Sequence, residues 1–146
     1  MSTMSAARDH RLYHKLQLAA HRLQKAADHI VFAEAPLTTA QAAVLTIVRG
    51  QGEASQKWVA EKLGLHESAV TTMVSRLGKL GFIERCRAET DRRVWLLSVT
   101  EDGQRALEAV GPSFARLNRQ IEAELSDEEV EQLAGMLDRL NRRFAG

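Results

Sequence analysis

Cysteine, proline and long apolar runs are all scarce in this chain, and each scarcity closes off a class of explanation. The single cysteine, Cys86, excludes an internal disulfide and suits a reducing compartment. Two prolines in 146 residues leave room for long helices. No apolar run approaches the roughly 20 residues that a membrane helix needs. The start, Met1 to Asp9, is polar, and no signal peptide is expected there. These absences predict a soluble cytoplasmic protein with no membrane partner. There is no Gly-rich phosphate loop and no nucleophile elbow, and the His10–His14 pair lacks the Glu of a zinc-hydrolase helix. Neither an enzyme nor a bound cofactor is expected.

What remains is ordinary globular composition, 45% hydrophobic, at a length that fits one compact domain or one small domain with helical extensions. The net charge of +1 says little, but its distribution says more. From Thr38 to Thr100 there are nine Lys/Arg against six Asp/Glu, and from Glu101 to Gly146 six against ten. The middle is basic and the tail acidic, which points to the middle as the part that faces a polyanion.

Apolar residues at Leu12, Leu16, Ala19, Leu23, Ala26 and Ile30, in steps of four and three, predict one amphipathic helix that stops before Pro36. Thr38 and Gln41 then form a capping-box pattern that opens a second helix, with Gly50 and Gly52 expected to end it. Ser55 opens a short helix through Trp58, Val59, Ala60 and Leu63 to Gly64. After Leu65 and His66 another carries Val70, Met73, Val74, Leu77 and Leu80 to Gly81. Two short helices joined by a glycine-containing turn have the form of a helix-turn-helix.

The segment that follows strengthens that reading. Phe82 to Cys86 and Val94 to Val99 read as two strands around a charged loop, Arg87 to Arg93. A hairpin placed directly after the second helix is a wing, and its basic tip is hard to explain by packing. Thr100 can cap the next helix, which carries Leu107, Val110, Phe114, Leu117, Ile121 and Leu125, with Pro112 expected to interrupt or kink it. Ser126 and Glu129 form a second capping box before Val130, Leu133, Leu137, Leu140 and Phe144. The fold class expected is mainly α with a small β-hairpin wing. In it a winged helix-turn-helix lobe (37–100) is flanked by an N-terminal helix (1–36) and C-terminal helices (101–146), all one domain. The terminal stripes are too long for so small a core, which predicts packing against a second copy as a homodimer.

These residues resemble the MarR family (multiple antibiotic resistance regulators) over nearly the full length. The matching stretches are Leu37-Thr38 to Gln41, Val59 to Gly64, Val70-Thr71 to Leu77, Gly81 to Arg85, and Asp91-Arg92-Arg93 leading to Val99-Thr100 and Gly103. The resemblance implies a dimer with intertwined terminal helices and two lobes that read adjacent major grooves of a palindromic double-stranded DNA operator. It also implies a small effector, often phenolic or an aromatic acid or its thioester, that enters a cleft beside the dimerisation helices and releases the DNA. Two positions depart from the family pattern: His66 stands where a small hydroxyl residue is common, and Thr72 where an arginine is common.

On the helix from His66 to Leu80, Ser68, Thr71, Thr72 and Arg76 lie on the face away from Val70, Met73, Val74 and Leu77. Hydroxyls there can bond phosphates or base edges, and a threonine methyl can touch a thymine methyl; the plain alternative is a solvated polar face. In the wing the candidates are Arg87, Asp91, Arg92 and Arg93. The family pattern has an Asp bracing the Arg two positions on, here Asp91 and Arg93, and that arginine enters the minor groove, where a narrow A·T tract concentrates negative potential. The alternative is an ordinary surface ion pair.

His10, His14 and His21 fall within about 40° of one another on the first helix. His10 and His14, one turn apart, lack a nearby third metal ligand at a convincing spacing, so no metal is expected. Arg11, His14, His21 and Arg22 are candidates for meeting the carboxylate of an effector. Cys86, flanked by Arg85 and Arg87, is read either as a plain strand residue or as a redox sensor; peroxide-sensing members of the family carry their cysteine nearer the amino terminus. A helical protein-interaction module without DNA binding is the competing function, and the basic wing and centre speak against it.

Overall fold

Leu12–Glu34 forms a single helix, α1, in a computed structural model that describes residues 10–145. The polar start, where no signal peptide is expected, lies outside those residues. Of the anticipated stripe of α1, Leu12, Leu16, Ala19, Leu23 and Ala26 are exposed within one chain and Ile30 is half-buried; Ala27 and Val31, further round the helix, are the side chains that reach the core. Ala35 closes α1 by returning its N–H to the Val31 carbonyl, at 3.1 Å, just before Pro36.

Helix α2 (Thr39–Gln51) begins in a complete capping box. Thr38 Oγ1 accepts from the Gln41 N–H at 3.1 Å, and Gln41 Oε1 accepts from the Thr38 N–H at 3.0 Å. The half-buried carboxylate of Asp28, on α1, adds a cross-link by accepting from both the N–H and the hydroxyl of Thr39, each at 2.7 Å. Gly50 does not end α2 as expected. It lies inside the helix, and Gly52, at φ 87°, closes it. Only a residue turning to positive φ breaks the hydrogen-bond ladder here, and Gly50 keeps to the negative side.

A two-residue strand, β1 (Ala54–Ser55), leads into α3 (Gln56–Leu63), and Gly64 in the left-handed region (φ 66°) turns the chain into α4 (Glu67–Lys79). Strands β2 (Ile83–Arg87) and β3 (Trp95–Val99) form the hairpin. With β1 they make a three-stranded antiparallel sheet in the order β1–β3–β2, pairing Ala54 with Leu97 and Arg87 with Trp95. The core lies between this sheet and the helices. Its fully buried side chains include Leu37, Leu45, Val59, Val70, Val74, Leu77, Leu97 and Val110.

Helix α5 (Glu101–Ala123) runs unbroken through Pro112, which does not interrupt it. A proline there forfeits one helical hydrogen bond, but Val110 and Ser113 on either side are buried and hold the turns in place. α1 packs along α5. The last helix, α6 (Asp127–Phe144), opens with the Ser126–Glu129 capping box and buries none of its residues within the chain. No single described helix is long and apolar enough to cross a membrane.

Candidate nucleic-acid interface

Helix α4 stands on its apolar side. Val70, Val74 and Leu77 are buried beneath it, while Ser68, Thr71, Thr72 and Arg76 are all exposed on the opposite face. His66 is its N-cap residue and supplies no side-chain hydrogen bond to the start of the helix. The two threonines are engaged locally. Thr71 Oγ1 donates to the Glu67 carbonyl at 2.9 Å, and Thr72 Oγ1 to the Ser68 carbonyl at 3.1 Å. Their hydroxyl protons are thus committed to the helix, leaving lone pairs and methyl groups for anything docked on this face. Gln56, the first residue of α3, donates to Thr71 Oγ1 at 3.0 Å and ties the two helices of the pair together.

The wing turn runs from Ala88 to Val94. It is closed by Ala88 N–H donating to the Val94 carbonyl at 2.9 Å and Val94 N–H to the Asp91 carbonyl at 3.0 Å. At its tip Asp91 grips Arg93 three times. The Arg93 N–H and Nε both donate to Oδ1, at 3.0 and 3.2 Å, and Nη2 donates to Oδ2 at 3.3 Å. The side-chain hydrogen bonds from Arg93, then the backbone one, hold the Asp91 carboxyl below its ordinary range. The Arg93 side chain is nevertheless 91% exposed, so the pair fixes a direction without burying the charge. Arg92 is exposed and Asp91 half-buried.

Arg87 sits differently from the expectation of a loop residue. It ends β2 with its guanidinium 4.3 Å from the centre of the Trp95 ring, and it donates to the Arg92 carbonyl. Arg85 lies 5.1 Å from the same ring. Cys86, between them, is free and exposed.

The four candidate effector residues are not gathered into one site. His14 and His21 line a shallow groove of about 550 Å³ on α1 with Gln17, Leu18 and Gln24. Arg22 lies in a different groove, about 500 Å³, with Leu23, Leu117, Ile121 and Leu125. Arg11, exposed at φ 50°, caps α1 and lines neither. A third cleft, between α1 and α5, holds about 380 Å³ and is lined by His29, Ile30, Glu34, Pro112, Ser113 and Arg116. Among the described residues no group of three or more His, Cys, Asp or Glu side chains is placed to hold a metal ion.

The pattern of the MarR family matches residues 37–95. The regulator MhqR of Bacillus subtilis, named as an HTH-type transcriptional regulator, is 30% identical over 104 residues, which are 71% of this chain and 72% of that one. The chain belongs to the MarR family of transcriptional regulators. Matched stretches cover about 60 to 72% of the length of the curated relatives. The solved PcaV regulator of Streptomyces coelicolor, in complex with its natural ligand, shares 30% identity at a TM-score of 0.74, with 85% of this chain and 89% of that one covered. A variant of E. coli MarR complexed with operator DNA superposes at a TM-score of 0.84 over 91% of this chain and 95% of that one. At 21% identity it shows a shared fold.

Gln56, which bonds to Thr71, and Trp95, which lies against Arg87, are side chains to which the sequence reading gave no role. Gln56 directly follows an N-cap serine at the head of the helix-turn-helix, a position that faces the next helix. Trp95 reads as strand filler until the register sets it opposite Arg87.

Proposed function

We propose that this chain is a cytoplasmic transcriptional repressor that binds a palindromic double-stranded DNA operator as a homodimer and performs no catalytic step. A small aromatic or phenolic effector, or its thioester, releases it. The observation that carries the reading is the exposed Arg93 guanidinium, held by Asp91 at the tip of a hairpin that directly follows α4, whose exposed side carries Ser68, Thr71 and Thr72. A charge presented this way, on a short scaffold, suits a narrow minor groove, while α4 suits the neighbouring major groove. Ser68, Thr71, Thr72 and Arg76 would meet the major groove; Arg92 and Arg93 would meet the backbone and minor groove. Residues 37–100 form the DNA-binding lobe in this reading. The helices of 1–36 and 101–146 form the dimer, which the exposed apolar residues of α6 support. The MarR variant solved on operator DNA and PcaV solved with its ligand support the partner classes. The α1–α5 cleft, with Arg116 at its wall, suits an anionic effector; His14, His21, Arg22 and Arg11 are the further candidates.

Titration of the wild type, Arg93→Ala and Asp91→Ala against one operator fragment at several salt concentrations tests the reading. Affinity is expected to fall steeply with salt, by close to one logarithmic unit per phosphate neutralised for each tenfold rise in salt. Arg93→Ala is expected to weaken binding roughly 5- to 150-fold for each wing. Asp91→Ala is expected to weaken it less, although it removes a negative charge near DNA. Tighter binding by the Asp91 variant would overturn the bracing role. A wild type indifferent to duplex DNA would favour a protein-interaction module instead.

A further inference from the structure

The peptide unit between Arg92 and Arg93 is held at both ends. Its N–H, on Arg93, donates to Asp91 Oδ1 at 3.0 Å, and its carbonyl, on Arg92, accepts from Arg87 Nη1. Because a peptide is planar, fixing both ends fixes the plane and with it the direction in which the chain leaves for Arg93. Arg87 is itself held, since its guanidinium lies 4.3 Å from the centre of the Trp95 ring, its cross-strand partner. Trp95 therefore orients Arg87, Arg87 orients the Arg92 carbonyl, and Asp91 holds the other edge of the same peptide. Swinging Arg87 outward to a phosphate would break the ring contact and the carbonyl contact together.

We propose that Arg87 is a positioning residue for the wing, a latch that presents Arg93 to DNA, and that it does not itself neutralise a phosphate. The proposal rests on the DNA-binding reading above and removes Arg87 from the residues expected to touch the backbone. It also gives Trp95 a role. A flat aromatic face pairs with a planar guanidinium far better than with a lysine ammonium, which has no plane to stack and no fork to reach the carbonyl.

Arg87→Lys separates the two roles, because it keeps the charge and loses the stack. The experiment compares wild type, Arg87→Lys, Arg87→Ala, Trp95→Leu and Arg85→Ala. It uses amide hydrogen exchange of the free protein, and affinity for one operator fragment across a salt series. Exchange at the Arg93 and Val94 amides is expected to quicken in Arg87→Lys, Arg87→Ala and Trp95→Leu. Arg85→Ala, which leaves the Arg92 carbonyl untouched, is expected to keep wild-type rates. Losing the stack at both wings of a dimer is expected to weaken DNA binding roughly five- to thirtyfold, with the salt slope unchanged. Arg87→Lys binding like wild type, while Arg87→Ala lowers the slope by about two for the dimer, would make Arg87 a phosphate contact and overturn the proposal. Unchanged wing-amide exchange in Arg87→Lys would overturn it as well. If Trp95→Leu melts early, the surface variant Arg87→Lys decides alone. A wild type that binds no duplex would defeat the DNA reading, while the exchange rates still decide whether the latch exists.

Discussion

Gly103, in the first turn of α5, lies directly against the carbonyl oxygen of Phe82; a Cβ at Gly103 would stand 2.2 Å from that oxygen and 2.8 Å from Val99 Cγ1. The same carbonyl accepts from the Thr100 N–H at 3.1 Å, so α5, the wing and the end of α4 converge on one point. Gly103→Ala must push backbone against backbone, and we expect a loss of ~1–3 kcal/mol in urea denaturation. Gly50→Ala is the contrasting case, since Gly50 is helical and has open space around it. It should gain ~0.5–1 kcal/mol. A neutral Gly103→Ala would mean that α5 can shift without disturbing the wing.

The Asp91 carboxyl gives a pH prediction. Its folded pKa is depressed below 3.8 by its hydrogen bonds from Arg93. A depressed carboxylate contributes to the folded state above its unfolded pKa, and that contribution disappears as the pH falls through the folded value. The wing pair is therefore complete at neutral pH and opens only in acid, below about pH 4. Carbon-detected NMR titration should place the Asp91 midpoint below 3.8 in the wild type and higher in Arg93→Ala. An identical midpoint in both proteins would mean that the pair does not persist in solution.

Asp28 joins α1 to the N-terminus of α2 through two bonds to Thr39, and among the described residues no other carboxylate does so. Asp28→Ala strands an amide at a helix N-terminus, where a negative charge is also favoured by the helix dipole. We expect it to cost ~1–3 kcal/mol by chemical denaturation. Asp28→Asn keeps an acceptor and should lose less. Equal losses would assign the effect to charge alone.

Leu133, Leu137 and Leu140 of α6 are each about two-fifths exposed, and Phe144 is 76% exposed. An apolar row of that length is unstable in water, and a second chain is the partner that symmetry offers. Sedimentation at micromolar concentration should show a dimer, and Leu137→Glu combined with Leu140→Glu should yield monomers or unfolded chain. A folded wild-type monomer would leave the row without an explanation.

Where local chemistry decides an element, its residues announced it. Thr38 with Gln41 and Ser126 with Glu129 are capping boxes on sight, and both formed. The helix-turn-helix and the wing were legible because glycines and alternating strands punctuate them. Gly103 could be noted in the family pattern but not explained, since its reason is a carbonyl 21 residues earlier in the chain. Strand β1 could not be read from Ala54 and Ser55, which become a strand only when Leu96 and Leu97 pair with them. The stripe of α1 was legible as an apolar face, and its exposure within one chain agrees with the expectation that a second copy covers it, although periodicity alone does not say which chain does so. Arg87 was misplaced. Nothing in its own segment marks it as held, since the ring that holds it arrives from the opposite strand. The Asp91–Arg93 pair was expected from the family resemblance, and because it spans two residues it forms without any tertiary contact.

Ser55 belongs to two elements at once. It pairs with Leu96 in the sheet, and its hydroxyl accepts from the Trp58 N–H at 3.1 Å to start α3. No slack separates the hairpin from the helix pair on that side, and on the other the end of α4 meets β2 through Gly81. Hairpin tip and helix α4 therefore behave like the two points of a locked caliper. Their separation is set by covalent and ladder geometry, so a rotation of the whole lobe would change where the caliper lands but not how far it is open.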